Sequence, residues 1–480
     1  MAPSIALVWF QEDLRLADHP ALHAACKRHD VVIPVYIHAP GEAEPWQPGG
    51  ASRWWLHHSL AALQSALESR GSRLLLCEGP SAAALAALCR ETKATDVYWN
   101  RRQAPWADER DAAVRDRLEE ANVACHRMHA GLLIPPASLL NRQGAPYQVF
   151  TPFWKAAVQE PVGQPLPAPD AIPAPRTWPK SLSLQALGLL PKVDWAGGLR
   201  EAWEPGESGA HAQLAAFLDG AADHYQQQRD IPAASGVSGL SPHLHFGEIT
   251  PGQVLDTLHA ATPEMGEGLA AFVRQLYWRE FAHYLLHHFP HTPIQPLRAN
   301  FVAFPWRRDA KALRTWQRGE TGYPIVDAGM RELWHTGWMH NRVRMVVASF
   351  LVKHLLLPWQ EGAAWFWDTL VDADLANNTL GWQWAAGCGA DAAPYFRIFN
   401  PMLQGAKFDG DGAYVRQWVP ELAALPDKHI HKPWELSDIE LRAAGVTLGK
   451  QYPKPIVDHH AARERALAAY AEIKGKKSTP

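Results

Sequence analysis

Side chains that could bind or activate a ligand are concentrated in one aromatic stretch, residues 365–404. Three carboxylates and two amides occur there among four indole rings: Asp368, Asp372, Asp374, Asn377, Asn378, Trp365, Trp367, Trp382 and Trp384. Burying such polar groups is costly unless each one finds a partner. Composition alone leaves two interpretations open. One is a helix end followed by a capped loop. The other is a polar pocket in an aromatic shell, suited to a large, partly polar, π-rich cofactor.

A second group of candidate binding residues is small and hydroxylated. Ser238, Gly239, Leu240 and Ser241 precede Pro242, where a helix is expected to begin. The free N–H groups and hydroxyls of such a helix start suit an anion such as a pyrophosphate. Ser-Pro at a helix start is also ordinary capping, so this motif alone does not decide between the two interpretations.

The elements that must position these groups begin with an alternating pattern over residues 1–131. Short apolar runs of strand length alternate with helical segments near 52–69, 81–92 and 107–121. The runs are SIALVWF, DVVIPVYIH, SRLLLCEG, DVYWN and a fifth near ACHRMHA. This alternation predicts an α/β N-terminal domain with a doubly wound parallel sheet, which would bind ligands beyond the carboxyl ends of its strands.

Two further segments follow this domain. Residues 132–207 are rich in proline and are expected to form an irregular interdomain connector, anchored by the segment FTPFWK. Residues 208–480 show helical periodicity almost throughout, which predicts an all-α C-terminal domain. Its helices are expected to begin near positions 211, 251, 267, 311, 325, 341 and 361.

Composition excludes several classes of protein. The 480 residues are 47% hydrophobic and 20% charged, and no apolar run is long enough to span a bilayer, which predicts a soluble chain of two or more domains. The N-terminal MAPSIALVWFQEDLR lacks a basic region before its apolar run, so no signal peptide is expected. The five cysteines form no C-x-x-C pair, which argues against a disulfide framework or zinc site and fits a reducing cytoplasm. With a net charge of −3, any contact with DNA must come from a local basic patch.

The aromatic stretch contains three longer motifs: D-x-D-L-A-x-N, G-W-Q-W-A-A-G and D-A-A-P-Y-F-R-I-F-N-P, with a glutamine shortly after. These motifs closely resemble the flavin-binding core of the DNA photolyase and cryptochrome family, and the resemblance covers nearly the whole chain. A match this long is far more specific than a lone glycine motif. It implies a two-domain flavoprotein that carries FAD in its helical domain and is most similar to class I cyclobutane pyrimidine dimer photolyases.

The resemblance also implies which residues bind the FAD. Asp372 and Asp374 are expected to hold the ring imide and the ribityl region, and Asn378 to approach flavin N5. Plant cryptochromes characteristically have aspartate at that last position, so Asn378 favours a repair enzyme. The other implied FAD-binding residues are Tyr225, Val237, Ser238, Gly239, Leu240, Ser241, Phe272, Arg279, Trp338, Asn341 and Arg344. Many relatives have threonine where this chain has Val237, so one phosphate hydrogen bond is expected to be missing.

The lesion pocket carries the most consequential departure from the family. Cyclobutane-dimer photolyases often have glutamate at the position of Gln275, and glutamine can donate a hydrogen bond but cannot supply a proton, so slower repair or a different lesion is expected. Trp278 and Trp384 are expected to stack on a flipped dimer, and Met345 to face it. His340 lies in H-N-R-V-R-M, a cyclobutane-type pattern, and is expected to be structural rather than part of the histidine pair of (6-4) photolyases.

Five residues are expected to surround the mouth of this pocket and contact DNA: Arg229, Arg342, Arg397, Gln404 and Lys407. Their cationic side chains would position phosphates without reading sequence. The alternative is that these cations are merely solvated surface.

Three tryptophans match the family's electron-transfer chain. Trp306, Trp359 and Trp382 lie in the contexts A-F-P-W, P-W-Q-E-G and G-W-Q-W. In a chain with 22 tryptophans most indoles are packing residues, and the assignment of these three depends on their motifs. All three are present, so photoreduction of the flavin is expected.

The N-terminal domain of this family often holds an antenna, either methenyltetrahydrofolate or a deazaflavin. The loop NRRQAPWADERD resembles the family loop weakly, because Gln103 and Ala104 stand where many relatives have an aromatic and an acidic residue. An antenna is expected, and its identity stays open.

The resemblance predicts light-driven repair of cyclobutane pyrimidine dimers in UV-damaged DNA, by a monomer that needs no metal and no membrane. The alternative is a cryptochrome-like blue-light photoreceptor. Gln275 and Val237 keep it open, whereas Asn378, Met345 and the short basic tail KGKKSTP argue against it. A light-independent flavin oxidoreductase is disfavoured, because the sequence has no glycine-rich nicotinamide fingerprint.

Overall fold

Five parallel strands form the N-terminal sheet of the computed structural model, which describes residues 3–262, 264, 266–392 and 396–474. In chain order the elements are β1 (Ile5–Phe10), α1 (Pro20–Arg28), β2 (Val31–His38), α2 (Gly50–Glu68), β3 (Leu75–Glu78), α3 (Ser81–Thr92), β4 (Asp96–Asn100), α4 (Pro105–Glu119) and β5 (Ala124–Met128). The strand order is β3-β2-β1-β4-β5, and every neighbouring pair is parallel. The predicted doubly wound sheet, including its fifth strand, is confirmed.

Both faces of the central strand β1 are covered. Leu7, Val8 and Trp9 are at most 1% exposed, although successive side chains point to opposite faces of the sheet. This is why β1 reads as a continuous apolar run. Its neighbours β2 and β4 lie on opposite sides, so the chain leaves the sheet in two directions beyond the carboxyl end of β1. A ligand crevice is expected at such a switch point.

One helix of this domain was not predicted from the sequence. Helix α1 begins at Pro20, and the imidazole Nδ1 of His19 accepts a hydrogen bond from the N–H of Leu22 at 3.0 Å. Histidine is not among the residues that usually signal a helix start, so the pattern gave little warning of this cap.

The remaining elements of regular structure in the described residues are helices. The α-helices among them are α5 (Phe150–Ala157), α6 (Gly197–Ala202), α7 (Glu207–Gly220), α8 (Tyr225–Gln228), α9 (Ser241–His245), α10 (Pro251–Ala261), α11 (Glu267–His288), α12 (Ala310–Gln317), α13 (Pro324–Thr336), α14 (Asn341–Ser349), α15 (Trp359–Thr369), α16 (Leu375–Ala386), α17 (Pro401–Phe408), α18 (Ala413–Trp418), α19 (Asp427–Ile430), α20 (Asp438–Ala443) and α21 (His459–Ile473). A π-helical turn, Phe350–His354, follows α14. The predicted helical C-terminal region is confirmed. Residues 393–395 of the longest motif and 475–480 of the basic tail lie outside the described residues.

The proline-rich segment is less irregular than its composition predicts. Helices α5 and α6 lie within it, and only a short 3₁₀ turn, Leu184–Leu187, interrupts the irregular chain between them. Phe150 at the start of α5 is buried, and its ring stacks on Trp278 of α11 with centroids 3.7 Å apart. Packing of this aromatic pair explains why helix forms beside so many prolines.

The sheet domain and the helical domain are joined just after α9. The Arg15 guanidinium donates to the carbonyl of Gly247 at 2.7 Å, and the Trp55 indole N–H donates to the Glu248 carboxylate at 2.9 Å. Gly247 has φ +62°, and a Cβ there would lie 2.3 Å from the carbonyl oxygen of Glu12. Only glycine fits this contact, which brings the loop after β1 against the end of α9.

The described residues show neither a membrane-spanning helix nor a metal-binding cluster. In the described ranges no helix combines the length and apolar character needed to cross a membrane. Over the same residues, no group of three or more His, Cys, Asp or Glu side chains is arranged to hold a metal ion.

Glu280 joins the beginning of the connector to α11. Its carboxylate Oε2 accepts hydrogen bonds from the backbone N–H groups of Leu133 and Ile134, at 2.9 and 3.3 Å. Burial raises the pKa of Glu280 to about 7, despite the neighbouring guanidinium of Arg279. The folded protein therefore holds this proton more tightly than the unfolded chain does. The stabilisation it provides is complete below the unfolded pKa, about 4.3, and is lost as the pH rises through 7.

We expect Glu280→Gln to flatten this pH dependence, because a neutral amide can accept the same two hydrogen bonds. Urea unfolding should show the variant gaining stability relative to the parent at pH 8 and losing that gain near pH 4.5. Glu160→Gln, at an exposed position without an ion pair among the described residues, is the matched control. An unchanged difference at both pH values would contradict the assignment.

Candidate functional site

Three distant segments of the chain meet at the carboxylate of Asp372. Its Oδ2 accepts a hydrogen bond from the Ser241 hydroxyl at 2.7 Å and another from the Arg344 guanidinium at 2.8 Å. The indole N–H of Trp338 donates to the same Ser241 hydroxyl at 3.2 Å. We call Ser241, Trp338, Arg344 and Asp372 the Asp372 cluster. It brings together the start of α9, the turn before α14 and the loop before α16.

One oxygen of this carboxylate is left open for a ligand. Asp372 is 8% exposed, and its Oδ1 is buried without a hydrogen-bond partner among the described residues. Buried carboxylate oxygens are nearly always paired, so an unpaired one needs an explanation. A ligand that offers an N–H or hydroxyl donor next to the Trp338 ring would satisfy it. The imide and ribityl hydroxyls of a flavin are donors of this kind, so the residues fit the implied FAD.

The second predicted aspartate has different contacts. Asp374 caps α16, because its Oδ1 accepts the backbone N–H of Asn377 at 2.8 Å, while Oδ2 lies 3.6 Å from His283 Nε2 and 3.9 Å from His245 Nδ1. Burial would raise the pKa of Asp374, but the nearby His283, the hydrogen bond and charge of His245, and the charge of Arg279 lower it below its ordinary value. The carboxylate therefore stays ionised, and it faces the two histidines rather than the Asp372 cluster.

Arg279 also reaches toward the interdomain region. Its guanidinium donates to the carbonyls of Gly131 and Leu244, at 2.9 and 3.3 Å. With Asp374 and His283 it lines a cleft of about 800 Å³ between the sheet and the helical domain. Burial lowers the pKa of His283 to about 4, so this imidazole is neutral at pH 7. Neither of its ring nitrogens has a hydrogen-bond partner in the described part of the chain.

The small-residue loop has a backbone that only glycine adopts easily. Gly239 has φ +65°, and a Cβ there would lie 2.8 Å from the Gln213 amide nitrogen, which donates to the carbonyl of Ser238 at 2.9 Å. The helix expected after this loop, α9, has only five residues. Its macrodipole is therefore weak, and backbone N–H groups and hydroxyls are the main donors that the loop offers an anion. Val237 beside it is half-buried and offers no hydroxyl.

The other predicted cofactor residues differ in burial. Tyr225 and Phe272 are buried and meet edge to face, with ring centroids 5.4 Å apart. Leu240 is also buried, whereas Asn341 is exposed in the first turn of α14. Asn378 is half-buried on α16, and its amide donates to the carbonyl of Ala363 at 3.1 Å.

The three predicted electron-transfer tryptophans belong to one hydrophobic cluster. Trp382 and Trp359 are each 2% exposed, and Trp306 is half-buried and packs against the same cluster. The Trp382 ring lies against Gly362, where a Cβ would come within 2.0 Å of it. The ring also contacts Phe366 at a centroid distance of 5.0 Å. These contacts hold Trp382 in a single orientation, and exposure increases from Trp382 toward Trp306.

The side-chain amide of Gln275 on α11 has a hydrogen-bond partner at each end. Its carbonyl Oε1 accepts from the Arg229 guanidinium at 3.3 Å, and its Nε2 donates to the carbonyl of Ala271 at 3.0 Å. Both ends of the amide are therefore occupied, which fixes its orientation. Trp278, one turn further along α11, is half-buried with one face covered by Phe150.

Arg342 and Lys407 lie around one aromatic ring. The Arg342 guanidinium is 4.3 Å from the Phe408 centroid and the Lys407 ammonium is 5.0 Å from it. Lys407 is exposed, and Gln404 on the same helix, α17, is half-buried. These side chains and Arg229 give the region a local excess of positive charge, which the net charge of the chain does not reveal.

The remaining predicted lesion-side residues lie on or beside α14 and α16. Met345 is half-buried on α14. Trp384 and Arg397 border a small cleft together with Lys353, and Arg397 is exposed. His340 is buried, and its Nδ1 accepts the backbone N–H of Arg342 at 3.2 Å as the cap of α14. Burial lowers the pKa of His340 to about 4, so it is a neutral capping residue at pH 7.

Two charged residues of this region were missed by the sequence argument. Lys353 is 1% exposed in the π-helical turn, donates to the carbonyl of Ala386 at 2.7 Å and lies 3.1 Å from the Phe396 centroid. Asp230 is ion-paired with Arg342 at 2.7 Å. The π-turn has no sequence signature that would have drawn attention to Lys353. The Arg-Asp dipeptide before a turn gave no hint that Asp230 reaches a residue 112 positions away.

Two family models match this chain. The model described as DNA photolyase matches residues 6–171, and the model described as the FAD binding domain of DNA photolyase matches residues 272–472. The first contains the five-stranded sheet. The second contains the segments of the Asp372 cluster other than Ser241.

Similar proteins are found among curated sequences and solved structures. A deoxyribodipyrimidine photo-lyase of Agrobacterium fabrum (strain C58) is 51% identical over 472 residues, 98% of each chain. Cryptochrome-2 of Arabidopsis thaliana is 40% identical over 485 residues, 98% of this chain and 79% of its own length. The crystal structure of a bacterial class III photolyase from Agrobacterium tumefaciens has a TM-score of 0.95 at 50% identity and covers 99% of this chain and 98% of that one. The photolyase class is not fixed by these matches, so class I stays a prediction.

The Asp372 cluster predicts a specific loss of flavin on neutralisation. Asp372→Asn removes a charge-assisted hydrogen-bond acceptor, an interaction worth about 1.5–3 kcal/mol, so we expect FAD to bind at least about tenfold more weakly. Flavin release on dilution, followed by fluorescence, measures this. The matched control is Asp368→Asn, since Asp368 in the same stretch accepts the N–H of Gly50 at 2.8 Å instead. Equal flavin retention by both variants would contradict the role of the cluster.

Proposed function

This chain belongs to the DNA photolyase and cryptochrome family, and from that premise we propose that it repairs cyclobutane pyrimidine dimers in UV-damaged DNA by using light and bound FAD. The observation that carries the proposal is the Asp372 cluster. It gathers segments that in this family hold the flavin, and it leaves a buried acceptor open for a donor of the cofactor. Arg229, Arg342 and Gln275 adjoin the cluster, because α14 carries both Arg342 and the cluster residue Arg344.

FAD, when bound and reduced, supplies on excitation by near-UV or blue light an electron that enters the dimer and returns after the ring has split. The protein contributes binding, orientation and electrostatics. Asp372 and Arg344 would fix the orientation of the ring system, with Trp338 against it and Asn378 near its N5. The loop from Val237 to Ser241 would bind the pyrophosphate through backbone N–H groups and hydroxyls.

The lesion would enter from the side of α11, α14 and α17. Arg229, Arg342, Arg397 and Lys407 would position the DNA backbone, with Gln404 beside them. A flipped dimer would stack on Trp278 and Trp384, near Met345. Flipping costs least where base pairing is already damaged, which favours the dimer over intact bases.

Gln275 would hold the dimer by hydrogen bonding alone. Its amide accepts from Arg229 and donates to Ala271, so one N–H and one oxygen lone pair would remain for a dimer. An amide has no ionisable proton near pH 7, and repair would therefore proceed without proton transfer from this position. This departure is also the feature that most favours the second candidate function, a cryptochrome-like photoreceptor.

The cleft between the two domains is a candidate binding site for an antenna. Its wall includes Arg101, Arg102, Gln103 and Trp106, which lie in or just after the loop that follows β4, at the carboxyl edge of the sheet. We infer that a methenyltetrahydrofolate or deazaflavin antenna would occupy this crevice or the adjoining one of about 770 Å³ over β1 and β2. The five cysteines are all free, which fits a protein that works as a monomer in a reducing cytoplasm.

The proposal is tested by DNA binding in the dark and under blue light. The purified holoprotein, with its flavin chemically reduced, should prefer a UV-irradiated duplex over the same intact duplex, and illumination should abolish the preference as the dimers are split. A photoreceptor would bind both duplexes alike. Preference in the dark that persists unchanged under light would show binding without repair and would contradict the proposed activity.

Trp382 should be needed for photoreduction but not for repair by protein that is already reduced. Replacing it with phenylalanine removes the oxidisable indole at the buried end of the tryptophan series while keeping an aromatic ring in the cavity. In Trp382→Phe we expect light-driven reduction of the oxidised cofactor by an external thiol to fall to background, as followed by loss of flavin absorbance. Dimer splitting by the chemically reduced variant should continue.

Trp434→Phe is the control for this experiment, because Trp434 is half-buried against the same hydrophobic cluster but lies outside the tryptophan series. It should photoreduce like the parent. Loss of photoreduction in both variants would indicate disturbed packing rather than an electron-transfer role for Trp382.

A further inference from the structure

A carboxylate lies between the two arginines at the mouth of the proposed lesion pocket. Asp230 Oδ2 is 2.7 Å from an Arg342 guanidinium nitrogen, and its Oδ1 is 4.0 Å from Arg229 Nε. Arg229 in turn donates to the Gln275 carbonyl at 3.3 Å. Asp230 therefore lies next to both arginines, and one of them, Arg229, contacts the Gln275 amide that is expected to meet the dimer.

The side chains of these ion pairs are partly buried. The side chains of Asp230, Arg229 and Arg342 are 34%, 26% and 20% exposed. The Arg342 guanidinium packs 4.3 Å from the Phe408 centroid, and that of Arg229 lies 5.5 Å from the Tyr225 centroid. Salt screens partly buried charges less than surface charges, so the carboxylate influences both guanidiniums at physiological ionic strength.

One N–H group of the Arg342 side chain has no hydrogen-bond acceptor among the described residues. Its Nε is buried and has no hydrogen-bond partner among the residues that the structure describes. Asp230 thus fixes one edge of the guanidinium and leaves Nε without a partner. A cation held in this way is ordered before a ligand arrives.

The charge of Asp230 also acts directly on DNA. Intact duplex is held mainly by contacts between cations and phosphates, and each such contact adds to the salt dependence of binding. A carboxylate among those cations repels phosphates and neutralises part of the positive charge. This repulsion alone would weaken both duplexes equally, but a flipped dimer also meets the ordered Gln275 amide, so intact DNA loses more affinity than damaged DNA. Specificity often depends on such a repulsive element as well as on attraction.

We propose that Asp230 is a specificity-determining residue for damaged DNA. It orders Arg229, Arg342 and, through Arg229, Gln275, and it lowers the affinity of the mouth for an intact phosphate backbone. This inference rests on the proposed function, because it takes the dimer-bearing strand as the ligand that enters between these side chains.

The test is dark binding of the holoprotein to labelled duplexes with and without one thymine dimer, at several salt concentrations. For Asp230→Asn we expect intact DNA to bind more tightly, with a slope of log K against log salt steeper by about one. The ratio of damaged to intact affinity should fall by about fivefold, the size expected for a partly exposed charge pair. Asp230→Glu keeps the charge and should retain most of the ratio.

Asp219→Asn is the matched control, because it makes the same change in net charge at an exposed position of α7 that has no ion pair among the described residues. It should leave the ratio and the slope unchanged. If Asp230→Asn does not fold, the smaller Asp230→Ser variant takes its place in the same comparison.

The outcomes separate this inference from the proposed function. A wild-type protein with no preference for the dimer would refute the proposed function, and with it the specificity role. A wild-type preference that Asp230→Asn leaves unchanged, or a variant that loses affinity for both duplexes in equal proportion, would refute the role of Asp230 alone.

Discussion

The carboxylate of Asp372 is the constraint on which the candidate site depends. A carboxylate that is 8% exposed must be paired with donors or a cation, since an isolated buried charge is strongly unfavourable. Its two partners, Ser241 and Arg344, lie 131 and 28 positions away in the chain. Satisfying this one group therefore fixes α9, α14 and the loop before α16 relative to one another.

The N-terminal domain contributes to this arrangement without touching Asp372. Ser241 opens α9, and the chain then passes through Gly247 and Glu248, which are bound by Arg15 and Trp55 of the sheet domain. The close approach at Gly247 leaves no room for a side chain. The sheet domain thus holds the end of the short helix whose first residue donates to Asp372, so the two domains form the site together. The same contact surface encloses the cleft proposed to hold the antenna.

Local periodicity predicted most of the fold. Strand β1 is a continuous apolar run because both of its faces are buried, and the helices α10, α11 and α14 begin at the positions expected from their residue patterns. Helix α5 was missed as a helix, because its stability comes from the stack of Phe150 on Trp278 rather than from its own composition. Family motifs identified the polar side chains of the site, but not their partners.

Partners were harder to predict because they depend on contacts between distant segments. Asp372 and Asp374 are two residues apart and look alike in the sequence, yet one binds Ser241 and Arg344 and the other faces His245 and His283. Residues two apart in a regular strand would share one face, but Asp372 lies in a turn and Asp374 caps α16, so the tertiary structure decides what each one contacts. The bridge from Asp230 to Arg342 has the same origin. Such pairings set the electrostatics of the mouth, and single-residue patterns contain no information about them.

We propose above all that this arrangement of side chains, loaded with reduced flavin, splits cyclobutane dimers when illuminated. The most direct measurement is the recovery of thymine absorbance in a single-stranded oligothymidine carrying such dimers, mixed with chemically reduced holoprotein. We expect the thymine absorbance to recover only in the light, and to do so with glutamine at position 275. No recovery from protein whose flavin is bound and fully reduced would contradict it and would favour a photoreceptor or a different lesion.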